Sequence, residues 1–222
     1  MNPITEEFNQ FFIDLAPNNH KDWFDENRKR YETHIKKPFE EFVALLIDEV
    51  NKHNKKINPK PKDCIFRINR DIRFAKDKTP YKMNRSAAIN VGGKKDMSPE
   101  GVYVEMGPEH VRVYRGLYML KADELLKIRT YIAKNAKTFK ELYSDKSFVK
   151  YFGEIRGEKA KRMPKELKEA AEKEELLFNK HWYFFSQMPP EKASDTDLIS
   201  EVIKRFKAAE PLAQFFDKAL KS

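Results

Sequence analysis

Apolar residues recur every three to four positions at the two ends of this chain and every second position in its middle, and that change of period restricts the fold most. Phe8, Phe11, Phe12 and Leu15 follow the spacing of one helix face, with Thr5 as its cap and Pro17-Asn18-Asn19 as its end. Asn19 can cap a short helix carrying Trp23, Phe24, Asn27 and Tyr31. Pro38 suits the first turn of a third helix, in which Phe39, Phe42, Val43, Leu46, Ile47 and Val50 share a face. From Phe66 the period becomes two. Phe66, Ile68, Arg70, Ile72 and Phe74 would lie on one side of a strand, and Arg67, Asn69, Asp71 and Arg73 on the other. Further strands are expected at 87–91, on both sides of the turn Gly107-Pro108-Glu109-His110, and at 181–186. A helix begins at Asp123 and runs through Leu125, Ile128, Ile132 and Phe139. A final helix carries Leu198, Val202 and Phe206 and is expected to break at Pro211. Helices, then strands, then helices argue against βαβ alternation and predict an α+β fold, an antiparallel sheet packed against N- and C-terminal helices.

The length of 222 residues lies near the upper size that one core serves, and no linker interrupts it, so a single domain over 1–222 is expected. Seventeen phenylalanines argue against disorder despite 36% charged residues. No long uncharged apolar run and no signal-like start is present, which predicts a cytoplasmic protein without a membrane partner. The lone cysteine, Cys64, excludes an intrachain disulfide and a cysteine-built zinc site, and its apolar surroundings read as core. The five histidines are scattered, so neither a metal nor a cofactor is expected. Phosphate-loop, dinucleotide, serine-elbow and zinc-protease signatures are missing, which leaves enzymatic activity open.

The formal charge of +9 is unevenly spread. Residues 52–95 hold fourteen Lys and Arg against Asp63, Asp71 and Asp77, a balance of +11, so the rest of the chain is slightly acidic. An anionic partner is the natural inference. The densest part runs Arg67-x-x-Arg70-Asp71-x-Arg73-Phe74-x-x-Asp77-Lys78-x-x-Tyr81. It fills every fixed position of the pattern R-x-x-R-D-x-R-F-x-x-[DN]-K-x-x-Y and resembles an uncharacterised bacterial family, domain of unknown function 2461. The resemblance extends from Asn18-Asn19 through Trp23-Phe24 and Asn27-Arg28 to Pro211-Leu212. Leu120 and Glu166-Leu167 depart from it. It implies a bacterial, cytoplasmic setting and no particular activity.

Guanidinium groups match phosphate and carboxylate oxygens in bidentate fashion, so Arg67, Arg70, Arg73, Lys78 and Tyr81 are candidate anion ligands, joined by Asn27 and Arg28 from the second helix. Asp71 and Asp77, flanked by cations, suit an orienting role better than that of a general base. Arg70 has a second reading, as an internal clamp paired with Asp25, Glu26 or Glu32. Three functions compete: binding of a phosphorylated or otherwise anionic small molecule, nucleic-acid binding through residues 52–62, Lys94-Lys95, Tyr103 and Tyr114, and a purely structural salt-bridge network. Nothing in the sequence fixes the oligomeric state.

Overall fold

The computed structural model describes residues 2–222. In chain order it contains α1 (Glu7–Leu15), α2 (Lys21–Glu26), α3 (Arg28–Tyr31), a π-helical turn (Glu32–Lys36), α4 (Lys37–His53) and α5 (Pro61–Cys64). There follow β1 (Arg85–Ile89), β2 (Val102–Gly107), β3 (His110–Leu117), α6 (Ala122–Lys134), α7 (Ala136–Tyr143), α8 (Lys146–Phe152), α9 (Lys168–Lys173), β4 (Trp182–Met188) and α10 (Leu198–Lys221). The strands form one antiparallel sheet in the order β1-β2-β3-β4, and the fold is α+β. The chain condenses into two compact units. The first comprises the residues up to Asp96 with Tyr103–Val113 and Gln187–Ile203, and the second comprises Met97–Val102, Tyr114–Ser186 and Lys204–Ser222.

In the first unit the helical period does what the sequence requires. Phe8, Phe11, Phe12 and Leu15 of α1 and Phe39, Phe42, Val43 and Leu46 of α4 are fully buried, and the Phe8 and Phe39 rings stack at 6.3 Å. Burial of each such side chain contributes about 1.5–3 kcal/mol. α2 is capped by His20, whose ring accepts from the Trp23 amide, and not by Asn19. Asn19 serves a longer connection. Its amide donates to the Tyr81 carbonyl at 3.0 Å, and its oxygen accepts the Tyr81 N–H at 3.1 Å, which ties the chain before α2 to the segment before β1.

The expected strand from Phe66 to Phe74 does not form. Residues 65–70 run antiparallel to 80–87 through isolated bridges, Ile65 to Ala87 and Asn69 to Tyr81, and no regular ladder develops. Alternation of burial survives to Ile72, but Phe74 is 96% exposed at the tip of the hairpin. Side chains have replaced the ladder there, since Lys78 donates to the Ile72 carbonyl and Asp71 accepts the Arg73 amide.

The second unit is built on Leu117, Ile128, Ile132, Phe139, Phe148, Phe152, Trp182, Phe184, Leu212 and Phe216. Gly116 has φ +107°, and a Cβ there would lie 2.1 Å from the Trp182 carbonyl oxygen, so only glycine fits. Pro211 does not break the last helix, which continues to Lys221. One backbone bond is lost at a proline, but Phe206 before it and Leu212 and Phe216 after it are buried in the unit and hold the axis.

Arg115, Arg129 and Arg205 are buried in this unit, and Arg115 is the most fully enclosed. Its side chain is fully buried, its Nε donates to Gly101 O at 2.8 Å, and its terminal nitrogens donate to Pro99 O, Glu100 O and Phe206 O at 3.3, 2.7 and 2.6 Å. Glu210 supplies the counter-charge at 3.0 Å, and the guanidinium lies 4.1 Å from the centre of the Phe206 ring. Burial pulls its pKa down and Glu210 opposes that pull. Removal of one partner of such a pair strands the rest of the network. Arg115→Ala is therefore expected to cost about 3–5 kcal/mol in denaturant-induced unfolding, and an unchanged midpoint would refute this assignment.

Candidate anion-binding site

The structure separates the sequence-predicted site residues into three groups, all in the first unit. At the hairpin tip the arginines are committed. Arg70 pairs with Asp77 and Thr79, not with a carboxylate of α2 or the π-helical turn, and its side chain is 27% exposed. The internal-clamp reading of Arg70 is thereby corrected: its acid is seven residues away on the same hairpin. Arg73 makes a bidentate pair with Asp71, at 2.9 and 2.7 Å, and lies 5.9 Å from the Phe74 ring. Lys78 donates to a backbone carbonyl. The tip is thus stapled by its own side chains.

A second group surrounds Tyr81. Its ring is buried and stacks on Phe24 of α2 at 4.0 Å, and Phe24 in turn lies 5.0 Å from Tyr31. Trp23 and Tyr31 both contact Phe11, each at 5.6 Å, so these aromatics anchor the short helices. Asn27 donates to the Trp23 carbonyl at 3.0 Å. Arg28 is exposed, pairs with Asp25 and lies 5.8 Å from the Phe24 ring centre.

The third group is different in kind. Arg85, the first residue of β1, is 5% exposed, yet among the described residues no hydrogen bond or ion pair reaches its guanidinium, and its Nε is buried without an acceptor. The guanidinium lies 5.4 Å from the centre of the Phe39 ring of α4. Burial depresses its pKa, and Tyr31 and the exposed Glu40 oppose that pull. Lys82, three residues earlier, is half-buried with its ammonium 5.5 Å from the Phe66 ring centre. Desolvation lowers the Lys82 pKa first, then the fields of Arg85 and Arg67, while Glu105 of β2 opposes them. Glu105 is already engaged by the Tyr103 hydroxyl at 3.1 Å, His110 at 2.9 Å and Arg112 at 3.6 Å. Neither the Lys82 nor the Arg67 side chain makes a hydrogen bond or ion pair among the described residues.

Lys82 therefore lies in the fields of two arginines, one of them buried, and none of the three side chains has a hydrogen-bonded anion among the described residues. Like charges brought together and desolvated are unfavourable unless something neutralises them. Of the residues singled out in the sequence, only Arg67 belongs to this trio. Lys82 and Arg85 counted there merely as two charges among fourteen. The available signal was Arg85 at the head of Arg85-Ser86-Ala87-Ala88-Ile89, a run otherwise small or apolar.

Other features carry less. Cys64 is fully buried and its thiol is pushed up to about 11 by burial, which makes it a core side chain. An open hollow of about 520 Å³ in the second unit is lined by Lys161, Arg162, Met163, Lys165, Lys168, Glu172 and Phe178, but its charged groups are all exposed to water. Among the described residues no three His, Cys, Asp or Glu side chains are grouped to hold a metal ion, and no helix is long and apolar enough to cross a membrane.

A family model described as a conserved hypothetical protein, DUF2461, matches residues 7–215. No curated protein and no solved structure matches the chain.

The staple at the hairpin tip has a definite acid limit. The Thr79 amide, then Arg70, then the Thr79 hydroxyl lower the Asp77 pKa to about 2. A carboxylate depressed in the folded state supports the structure above its ordinary pKa and ceases to do so as pH falls through the folded value. The Thr79 amide resonance is expected to keep its shift at pH 4 and to titrate with a midpoint near 2. A midpoint near the ordinary carboxylate value of about 3.9 would show that the staple does not exist in solution.

Proposed function

Because the chain belongs to the DUF2461 family of conserved hypothetical proteins, whose description names no activity, we propose from the site itself that it binds a small phosphorylated or otherwise anionic molecule at Arg85, Lys82 and Arg67. The observation that carries this reading is the buried Arg85 guanidinium without a counter-ion. An arginine keeps its proton at any ordinary pH, so its charge is neutralised only by another group. A phosphate or carboxylate fits its planar donors, and Lys82 and Arg67 add charge around the same ligand. Arg70, Arg73, Lys78, Tyr81, Asn27 and Arg28 then act as framework, with Asp71 and Asp77 orienting the hairpin. The reading includes no resident cofactor, and a lone buried thiol supports a reducing, cytoplasmic setting.

The nucleic-acid reading draws less support. Tyr103 directs its hydroxyl to Glu105, and Tyr114 rests 5.0 Å from Phe185, so neither is uncommitted for stacking. The salt-bridge reading suits Arg70 and Arg73, which pair locally, but not Arg85.

Two measurements test the proposal together. Inorganic phosphate at ten times its dissociation constant is expected to raise the melting temperature by about 3–6 °C. Arg85→Met, which removes a desolvated charge and keeps the volume, is expected to abolish that rise and to leave the phosphate-free protein as stable as the parent or more so. A parent indifferent to phosphate, or an Arg85→Met protein that melts well below it, would make Arg85 a structural residue.

A further inference from the structure

The trio contains two groups that cannot lose a proton and one that can. Lys82 precedes β1, and its backbone amide is fixed by a 2.9 Å bond to the Ile68 carbonyl. Its side chain leaves water only in part, lies over the Phe66 ring and takes no hydrogen bond among the described residues. The charged groups that act on it are Arg85 from its own segment, Arg67 from the facing arm of the hairpin and Glu105 from β2. Glu105 is shared with Tyr103, His110 and Arg112, so it cannot act as a dedicated partner for the ammonium. A lysine amine that is partly desolvated beside fixed cations is the arrangement that makes it nucleophilic.

We propose that Lys82 is a reactive amine that condenses with the carbonyl group of a small anionic carbonyl compound, whose carboxylate or phosphate is held by Arg85 and Arg67. The inference rests on the anion site described above and adds a covalent step to it. The nitrogen lone pair of the neutral amine attacks the carbonyl carbon, and the C=O π pair moves to oxygen. A proton passes from nitrogen to that oxygen, and loss of water from the carbinolamine gives the imine. No electrons are gained or lost, and water hydrolyses the imine back to the free lysine. The direction of the Lys82 shift agrees with this role, since desolvation and the two arginines favour the uncharged amine. Anionic substituents on the carbonyl compound bring it to the site and, once bound, offset the charge of the arginines.

The full-length protein is incubated near pH 7 with sodium cyanoborohydride and one of three probes: pyruvate as a 2-oxo acid, glycolaldehyde phosphate as a phosphorylated aldehyde, or acetaldehyde as an uncharged carbonyl. Reduced adducts are then mapped by peptide mass spectrometry. Lys82 is expected to carry the adduct of at least one anionic probe about tenfold above the mean of the other lysines, because the bound anion is held beside its amine. Which anionic probe labels it distinguishes a carboxylate from a phosphate ligand. Acetaldehyde is expected to show a smaller preference, and inorganic phosphate to compete with the anionic label. Arg85→Met is expected to bring Lys82 down to the labelling of the other lysines. Lys82→Arg, which keeps the charge and removes the primary amine, is expected to remove the label. Uniform labelling of lysines by both anionic probes overturns the imine proposal. If phosphate still stabilises the parent, that result leaves the anion site standing with Lys82 as a counter-charge. If phosphate does not, both readings fall.

Discussion

A guanidinium taken out of water must find acceptors or a counter-charge, and among the buried arginines Arg115 and Arg85 meet this condition in opposite ways. Arg115 is met by four carbonyls, the Glu210 carboxylate and the face of Phe206, so its charge is neutralised within the fold and its donors are directed to fixed positions. That network joins β3, the segment at 99–101 and α10 in the second unit. Arg85 has the face of Phe39 and no acceptor. Retaining such a charge costs stability, and sites that cost stability are where function is commonly found. The contrast between the two arginines therefore carries more information than the overall charge of the chain.

Where the sequence was legible, the reason was burial on one face. In α1 and α4 every apolar position that recurs at helical spacing is buried, and β2 and β3 alternate as their Val and Met residues require. Pattern and packing there state the same requirement. They diverge between Phe66 and Phe74. Alternation marked those residues as a strand, but Asp71, Asp77, Lys78 and Thr79 offer local partners that satisfy the backbone and neighbouring side chains without a ladder, and Phe74 is carried out to the tip. Pro211 diverges for the opposite reason. The local rule predicts a break, and the buried residues on both sides of it outweigh one missing bond.

The site was less legible than the fold because charge density and charge availability differ. Arginine spacing drew the reading toward Arg70 and Arg73, yet each has an acid within seven residues and spends its charge on it. Availability depends on which cations lack a partner in three dimensions, and no spacing rule reports that. Arg67 shows the distinction clearly. It belongs to the same motif and is separated from Arg70 by two residues, but its side chain is exposed and makes no pair among the described residues.

The local pairs at the tip bear on the trio itself. Asp71 lies within the field of Arg67, and on charge alone it would be a natural partner for it. It is held instead by both its side-chain and backbone bonds to Arg73, while Asp77 is held by Arg70 and Thr79. Both acids of the motif thus have hydrogen-bonded partners other than Arg67, and Glu105, the acid that acts on Lys82, is engaged by Tyr103, His110 and Arg112. In the proposed reading, the motif supplies one ligand cation and spends its remaining charges on holding carboxylates away from the place where an external anion binds. On that reading arginines and aspartates belong together in it: a loop of arginines alone would repel itself, and a loop with unpaired aspartates would fill its own site.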